Sequence, residues 1–473
     1  MILNGRRKIT SNVKSVELQD FNVLCDLLNR VKVQHNANKS EIDYLINYKK
    51  GIQPILGKTK LVREDINNKV VINHAQMVTR TVVGYFLGTP IQYVQDGFSD
   101  KKELIDELNR YVRYEDKDSV DKEIGEFQSI TGTAYRIIYR DGEFEDDVPF
   151  EDRALNPSTT FVVYENNIAE KPLMGVTYYD SYTDDGILEG TNYFIYTDFG
   201  MYELMTSDDG VANEHSFVRF QQYNVGGVPI IEYPNNQWRI GDWELMIGLM
   251  DAINGLHSGR IDDVDQIVQS LLVFINADID EEIYNEMFSK GIVLLKNMTD
   301  NRSEVKSINN PLDQSGMNLF ATELEDLLYA LIGIPNRNNR AGGGGDTGQA
   351  VELRDGWADL EIIARNKELT FKKSEKRTLK IILSIFNLDR VEKLNLVDID
   401  IKFSRNKSNN LLVKTQAYQT LIATKTLDPS DCLSIVDLVS DVNEYMDRGK
   451  AFWGDNFGQK EESNNQVKKE IIE

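Results

Sequence analysis

Hydrophobic residues recur at helical spacing from Phe21 to about Tyr114. Within that span, NHAQMVTRTVVGYFLGTPIQY (Asn73 to Tyr93) reads as a helix closed by Gly88 and Pro90, followed by a short strand. KELIDELNRYVRY and VDKEIGEFQSITGTAYRII continue the helical pattern. From Ala134 to Tyr233 the pattern changes to strand-like runs, among them AYRIIYR, TTFVVYEN, MGVTYYD, YFIYT and SFVRFQQY. Asp141-Gly142, Asp185-Gly186 and Asp209-Gly210 are hairpin turns by composition, so this segment predicts a mostly antiparallel sheet.

A long helix is expected from about Gly241 to Leu272. Trp243, Met246, Met250, Ile253, Ile261, Val264, Ile267, Val268 and Leu271 step by three and four along one face. A small α/β piece follows, with LVFINADI a strand, DEEIYNEMFSK a helix and GIVLLKN a strand. GMNLFATELEDLLYALIGI is a second helix, and Gln349 to about Phe386 is the longest helical stretch. VDIDIKFSR reads as a strand, with helices near Leu411–Ala423 and from Asp428 to Gly449. Residues 1–20 are polar and basic and predict a loose arm; the tail GQKEESNNQVKKEIIE has the composition of a disordered end. The expected class is α+β, mainly helical.

Composition narrows the function. At 473 residues the chain is long enough for about three domains. No run approaches the ~18 apolar residues of a membrane span, and MILNGRRKIT has no signal-peptide core. Two distant cysteines, Cys25 and Cys432, make no disulfide framework and predict a reducing compartment. The formal net charge of −23 argues against a broad grip on duplex phosphates, yet leaves room for a protein that lets DNA pass without sticking.

Charge is also patterned. Between Gly241 and Leu272, six acids (Asp242, Glu244, Asp251, Asp262, Asp263, Asp265) face Arg260 alone, a net of −5. Between Leu312 and Ile334, Asp313, Glu323, Glu325 and Asp326 meet no base, a net of −4. Two acidic helices, each with a substantial apolar face, need partners within this chain or in copies of it. The long helix after Gln349 carries Glu352, Asp355, Asp359 and Glu361 first, then Lys367, Lys372, Lys373, Lys376, Arg377 and Lys380. That basic run admits two readings, a match to the helix dipole on a solvated face or contact with DNA.

Little here points to catalysis. His35, His74, His215 and His257 lack metal-ligand spacing, and no G-x-S-x-G elbow occurs. The clusters Asp262, Asp263, Asp265 and Asp278, Asp280, Glu281, Glu282 do not follow an EF-hand. LIGIPNRNNRAGGGGDTGQAVEL, with Gly342 to Gly345 between helical stretches, spaces Gly343 and Gly348 as a P-loop does. Gln349-Ala350 then stand where Lys and Ser/Thr are required. A flexible loop needing φ > 0 is the favoured reading, though backbone N–H groups in such a loop also suit an anion.

These stretches resemble the portal proteins of tailed bacteriophages, of the type common in long-tailed phages of Gram-positive hosts. The Asn73-His74 helix with Gly84, Tyr85, Gly88 and Pro90 is similar to the family's N-terminal signature. SITGTAYRIIYRDGE and RALNPSTTFVVYEN are similar to its next β elements, and NNQWRIGDWELMIGLMDAINGLHSGRIDDV to the opening of its stem. GIPNRNNRAGGGGDTGQAVELRDGWADLEIIARNKELTFKK resembles the tunnel loop and the helix after it.

The resemblance implies a portal fold with wing, stem, clip and crown, assembled as a ring of about twelve copies (about thirteen in isolation) around a central channel. It places a flexible arm at 1–20, wing at 21–240 and 350–405, stem helices at 241–272 and 312–334, clip at 273–311, tunnel loop at 335–349 and crown at 406–473. Asn336, Arg337, Asn338, Asn339, Arg340, Gly342, Gly343, Gly344, Gly345 and Asp346 would meet DNA. Arg337 and Arg340 would make transient phosphate contacts or pair with acids of a neighbouring subunit. Asp251, Asp262, Asp263, Asp265, Glu323, Glu325 and Asp326 are candidates to line the channel, and Asp278, Asp280, Glu281 and Glu282 for the clip's partner surface.

The implied partners are double-stranded DNA without sequence specificity, terminase, the head-completion adaptor, scaffold and major capsid protein. No membrane, cofactor or metal is implied, and no catalytic activity. The implied place is the capsid portal vertex of the virion, and the host cytoplasm during assembly. The competing readings are a scaffold or minor capsid protein without a channel, and a nucleotide- or DNA-processing enzyme.

Overall fold

The computed structural model describes residues 3–61, 64–96, 101–140, 148–207, 215–268, 272–275, 304–307, 314–334, 357–388, 390–405, 411–424, 427–436 and 442–454. Both α and β elements are present, and among the described residues no helix is long and apolar enough to cross a membrane.

The N-terminal segment is not a loose arm. Strand β1 (Ile9–Ser11) pairs in parallel with β5 (Thr160–Glu165). Arg6 is 3% exposed; it donates to the Thr131 carbonyl at 3.1 Å and pairs with Glu244 and Glu41. Its partners lie far along the chain, so a polar, basic composition gave the wrong expectation. Helix α1 (Phe21–Lys49) starts where Asp20 accepts from the Asn22 amide at 2.9 Å. Its Leu24, Leu27, Leu28 and Val31 cover one face of a six-stranded sheet, against Val163, Leu173, Tyr193, Ile195 and Leu204. Its C-terminal half, through Leu45 and Tyr48, enters the main core.

Helix α2 (His74–Phe86) is capped by Asn73, which accepts from Gln76 N at 3.1 Å. Strand β2 (Gln92–Gln95), helix α3 (Lys102–Tyr114) and helix α4 (Lys117–Thr131) follow. Gly132 then turns the chain at φ +76°, where a Cβ would stand 2.1 Å from the Arg239 carbonyl oxygen, so no other residue fits. Strands β3 (Thr133–Tyr139) and β4 (Glu151–Leu155) join β10 (Ile230–Pro234) in a three-stranded sheet ordered β10-β3-β4. Strands β6 (Pro172–Tyr182), β7 (Leu188–Tyr196), β8 (Gly200–Ser207) and β9 (Ser216–Gln222) complete the larger sheet, ordered β1-β5-β6-β7-β8-β9 and antiparallel apart from β1 on β5. The expected antiparallel region is therefore two sheets.

Helix α5 is shorter than expected, Ile247–Val268 after a 3-10 turn at Glu244–Met246. Residues 241–243 are held to the core instead. Asp242 N donates to the Ser129 carbonyl at 2.9 Å, and its carboxylate pairs with Lys367 at 2.6 Å. Trp243 is fully buried, stacked on Tyr48 at 5.5 Å with its Nε1–H on Thr79 Oγ1 at 3.0 Å. Strand β11 (Leu272–Ile275) pairs antiparallel with β12 (Glu304–Ser307), which lies in a stretch without strand periodicity. The expected helix DEEIYNEMFSK and strand GIVLLKN lie outside the described residues.

Helices α6 (Gln314–Ile332) and α7 (Trp357–Phe386) come next, then strand β13 (Ile399–Lys402), which pairs with β2. The C-terminal helices are α8 (Leu411–Ala423), α9 (Pro429–Val436) and α10 (Val442–Trp453), so the expected helix from Asp428 is two.

A buried ionic network ties these elements together. Arg136 on β3, with no exposed side-chain surface, pairs with Asp121 of α4 and with Glu375 of α7 at 3.3 Å. Lys117 Nζ lies 2.6 Å from Asp121 and 2.8 Å from Glu375. Tyr93 and Tyr233 both donate to Glu375, the latter at 2.6 Å. Asp152 on β4 stands 3.4 Å from Arg136 Nε without a well-formed hydrogen bond. With Asp152 neutral, two cations face two carboxylates. Burial pushes the Asp152 carboxyl up to about 6 against the pull of Arg136 and Lys117.

Candidate functional site

The two acidic helices pack against each other. α5 and α6 run antiparallel, as their cross-contacts show: Arg260 reaches Asn318 at 3.4 Å, and His257 lies 3.6 Å from Glu325. Met250 and Ile253 of α5 and Leu328 and Ile332 of α6 sit in the main core. That leaves apolar surface uncovered. On α6, Phe320 (51% exposed), Leu327 (47%) and Leu331 (54%) form, with half-buried Leu324, an outward stripe at steps of three and four. On α5, Gly248, Ala252, Gly255 and Gly259 form a small-residue face on the side away from α6, and a Cβ added at any of the three glycines would meet open space.

A second face of α5 is polar and grips an extended strap, residues 68–72. Asp262 Oδ1, Ser258 Oγ and Asn254 Oδ1 accept from the backbone N–H of Asn68 (2.6 Å), Val70 (2.9 Å) and Ile72 (2.8 Å) in turn. The match is geometric, since four helical residues rise about 6 Å and two extended residues about 6.6 Å. Lys58 and Lys60 both reach Asp262 Oδ2 at 2.7 Å. Burial alone would raise this carboxyl, but hydrogen bonds from the two lysines and Asn68 overcome it and hold the group far below the usual carboxylate range.

The acids expected to share one role are thus placed differently. Asp262, 2% exposed, serves the strap. Asp265 accepts from Asn68 Nδ2 at 2.7 Å, and Asp251 accepts from the Tyr48 hydroxyl at 2.9 Å. Asp263 is half-buried, Glu323 exposed, and Glu325 and Asp326 half-buried on the α6 surface. Asn336 to Arg340, Gly342 to Asp346, and Asp278, Asp280, Glu281 and Glu282 lie outside the described residues. Among the described residues no group of three His, Cys, Asp or Glu is placed to hold a metal. His35 and His215 are engaged internally, with Ser158 O at 3.1 Å and with Thr206 (2.6 Å) and Asn29 (2.9 Å) respectively. Lys58, Lys60, Asn68, Asn254 and Ser258 were not picked out from the sequence. For Asn254 and Ser258 the signal is Asn-x-x-x-Ser-x-x-x-Asp, ending on Asp262, one polar line down a helix otherwise read by its apolar face.

α5 and α6 thus pair through their apolar faces and leave an apolar stripe on α6 beside a small-residue face on α5. Residues 28–451 match the family described as phage portal protein, SPP1 Gp6-like, and the chain belongs to that family. It is 25% identical over 292 residues to the portal protein of Bacillus phage SPP1, a match that takes in 59% of this chain and 55% of that one. The chain thus spans about half the length of the curated relative it matches. Among solved structures it is similar to a chain in the virion of a native gene transfer agent particle (TM-score 0.40, 13% identity, 77% of this chain and 90% of that one). It is also similar to a chain in the neck of that native particle computed with C12 symmetry (TM-score 0.39, 12% identity, 77% and 90%).

Proposed function

We propose that this chain is the subunit of a ring of about twelve copies that forms the DNA channel at one capsid vertex and serves genome packaging, retention and ejection. α5 and α6 are the stem. Residues 21–240 and 350–405 are the wing, 273–311 the clip, 335–349 the tunnel loop and 406–473 the crown. The clip docks terminase during packaging and the head-completion adaptor afterwards; scaffold and major capsid protein surround the assembling ring.

The observation that carries this reading is the pair of unlike faces on the helix pair. Phe320, Leu327 and Leu331 supply bulk on α6, and Gly248, Gly255 and Gly259 supply close approach on α5. Unlike faces make a head-to-tail contact, which closes into a ring when the rotation permits. Asp263, Glu323, Glu325 and Asp326 then present negative charge to a passing duplex, so that the polymer meets like charge and slides. The glycine-rich loop yields as the duplex moves, with Arg337 and Arg340 for passing phosphate contact. ATP hydrolysis belongs to the docked motor in this scheme.

The test is Leu327→Asp with Leu331→Asp, read by sedimentation. A folded monomer with wild-type circular dichroism is expected; a ring of unchanged mass would remove the α6 stripe from the interface.

A further inference from the structure

The basic run of α7 divides in the structure. Lys367, 7% exposed, is bound to Asp242, and Lys372 pairs with Glu368 at 3.1 Å. Lys373, Lys376 and Lys380 are exposed and Arg377 is half-buried, all within one arc of the helix. Among the described residues none of these four makes an ion pair or a hydrogen bond. Lys373 and Arg377 act only through space, on Glu170 and Tyr164. Glu170 is itself paired with Lys8, and that pair adds no net charge beside the stripe.

The helix dipole does not account for them. α7 runs to Phe386 with no basic residue in its last turn, and the dipole's influence fades within that turn. An apolar protein contact does not account for them either. Between positions 373 and 380 every exposed residue is cationic, whereas the core of a protein interface is apolar and poor in charge. In a chain of net charge −23, four clustered cations that make no ion pair among the described residues mark a surface for a polyanion.

We propose that this stripe, Lys373, Lys376, Arg377 and Lys380, is a second duplex-binding surface, separate from the channel, that takes the phosphate backbone of double-stranded DNA. Lys373 to Lys380 span about 10 Å of helix, the axial length of about three phosphates along one strand. The contact is electrostatic and without sequence preference. It rests on the portal reading only for the identity of the polyanion.

The experiment is fluorescence anisotropy of the purified full chain with a blunt 30-base-pair duplex across a salt series. Lys373→Gln/Lys376→Gln/Lys380→Gln is compared with the Lys→Arg version of the same triple. The Gln variant should flatten the slope of log K against log salt by about 2 to 3, and the Arg variant should keep it. An unchanged slope, or no wild-type binding at low salt, overturns the proposal. So does a Gln variant with normal DNA binding but altered salt dependence of assembly, which would assign the stripe to a neighbouring copy's acids. Native mass of the same samples separates the two readings: a ring with an unchanged slope sinks this inference alone, and a slope change shown by a monomer supports it whatever becomes of the ring.

Discussion

Asp262 takes two hydrogen bonds from one residue, the backbone N–H of Asn68 at 2.6 Å and its side-chain amide at 3.0 Å, both on Oδ1. Its other oxygen takes Lys58 and Lys60. One carboxylate therefore fastens the strap to α5. Asp262→Ala should destabilise the fold by about 1–3 kcal/mol, less than a fully buried pair loses, because both lysines are partly exposed. Ser258→Ala should cost about 1 kcal/mol by freeing the Val70 amide. Faster hydrogen exchange at Asn68, Val70 and Ile72 is the expected readout, and unchanged protection there would count against the strap. Since the folded carboxyl is held below its unfolded value, this contribution is present above about pH 4 and fades as pH falls.

Asp152 predicts the opposite pH response. Its folded value of about 6 lies above the ordinary 3.8, so the native state binds the proton more tightly and stability falls as pH rises from about 4 through 6. Asp152→Asn removes that penalty and leaves Lys117 and Arg136 matched by Asp121 and Glu375. The variant should be about 1–3 kcal/mol more stable than wild type at pH 8 and nearly equal at pH 4, by chemical denaturation. Equal stability at both pH values would show that Asp152 does not carry the excess charge.

The helices 74–86 and 102–114 were legible because a cap or an amphipathic period is a local signal: Asn73 sits at the first, and Ile105, Leu108 and Val112 step down the second. The N-terminal segment was not legible, since Arg6 is ordered by Glu244, 238 residues away. Asp262 looked like any other acid of α5 because nothing near it in sequence marks Lys58, Lys60 and Asn68, which bind it. The late start of α5 was hidden likewise, as Asp242 and Trp243 are drawn off by Lys367, Ser129 and Tyr48.

The outward acids set a third expectation. Asp263→Lys, Glu323→Lys and Glu325→Lys together should raise duplex affinity at low salt and steepen the salt slope by about one per lysine. Affinity unchanged at low salt would place these acids away from the channel.

The glycine run gives a fourth. Replacing Gly342–Gly345 with bulky residues should leave ring assembly intact and impair packaging, scored by full heads per infection. Loss of assembly, with normal packaging by any rings recovered, would contradict a loop that only yields to DNA.

The most direct measurement is electron-microscope class averaging of the purified full chain, with native mass on the same sample. The account predicts a closed ring of about twelve or thirteen copies with a central hole walled by α5 and α6. A chain that stays monomeric, alone and with scaffold and capsid protein, or that assembles without an axial hole, would contradict it.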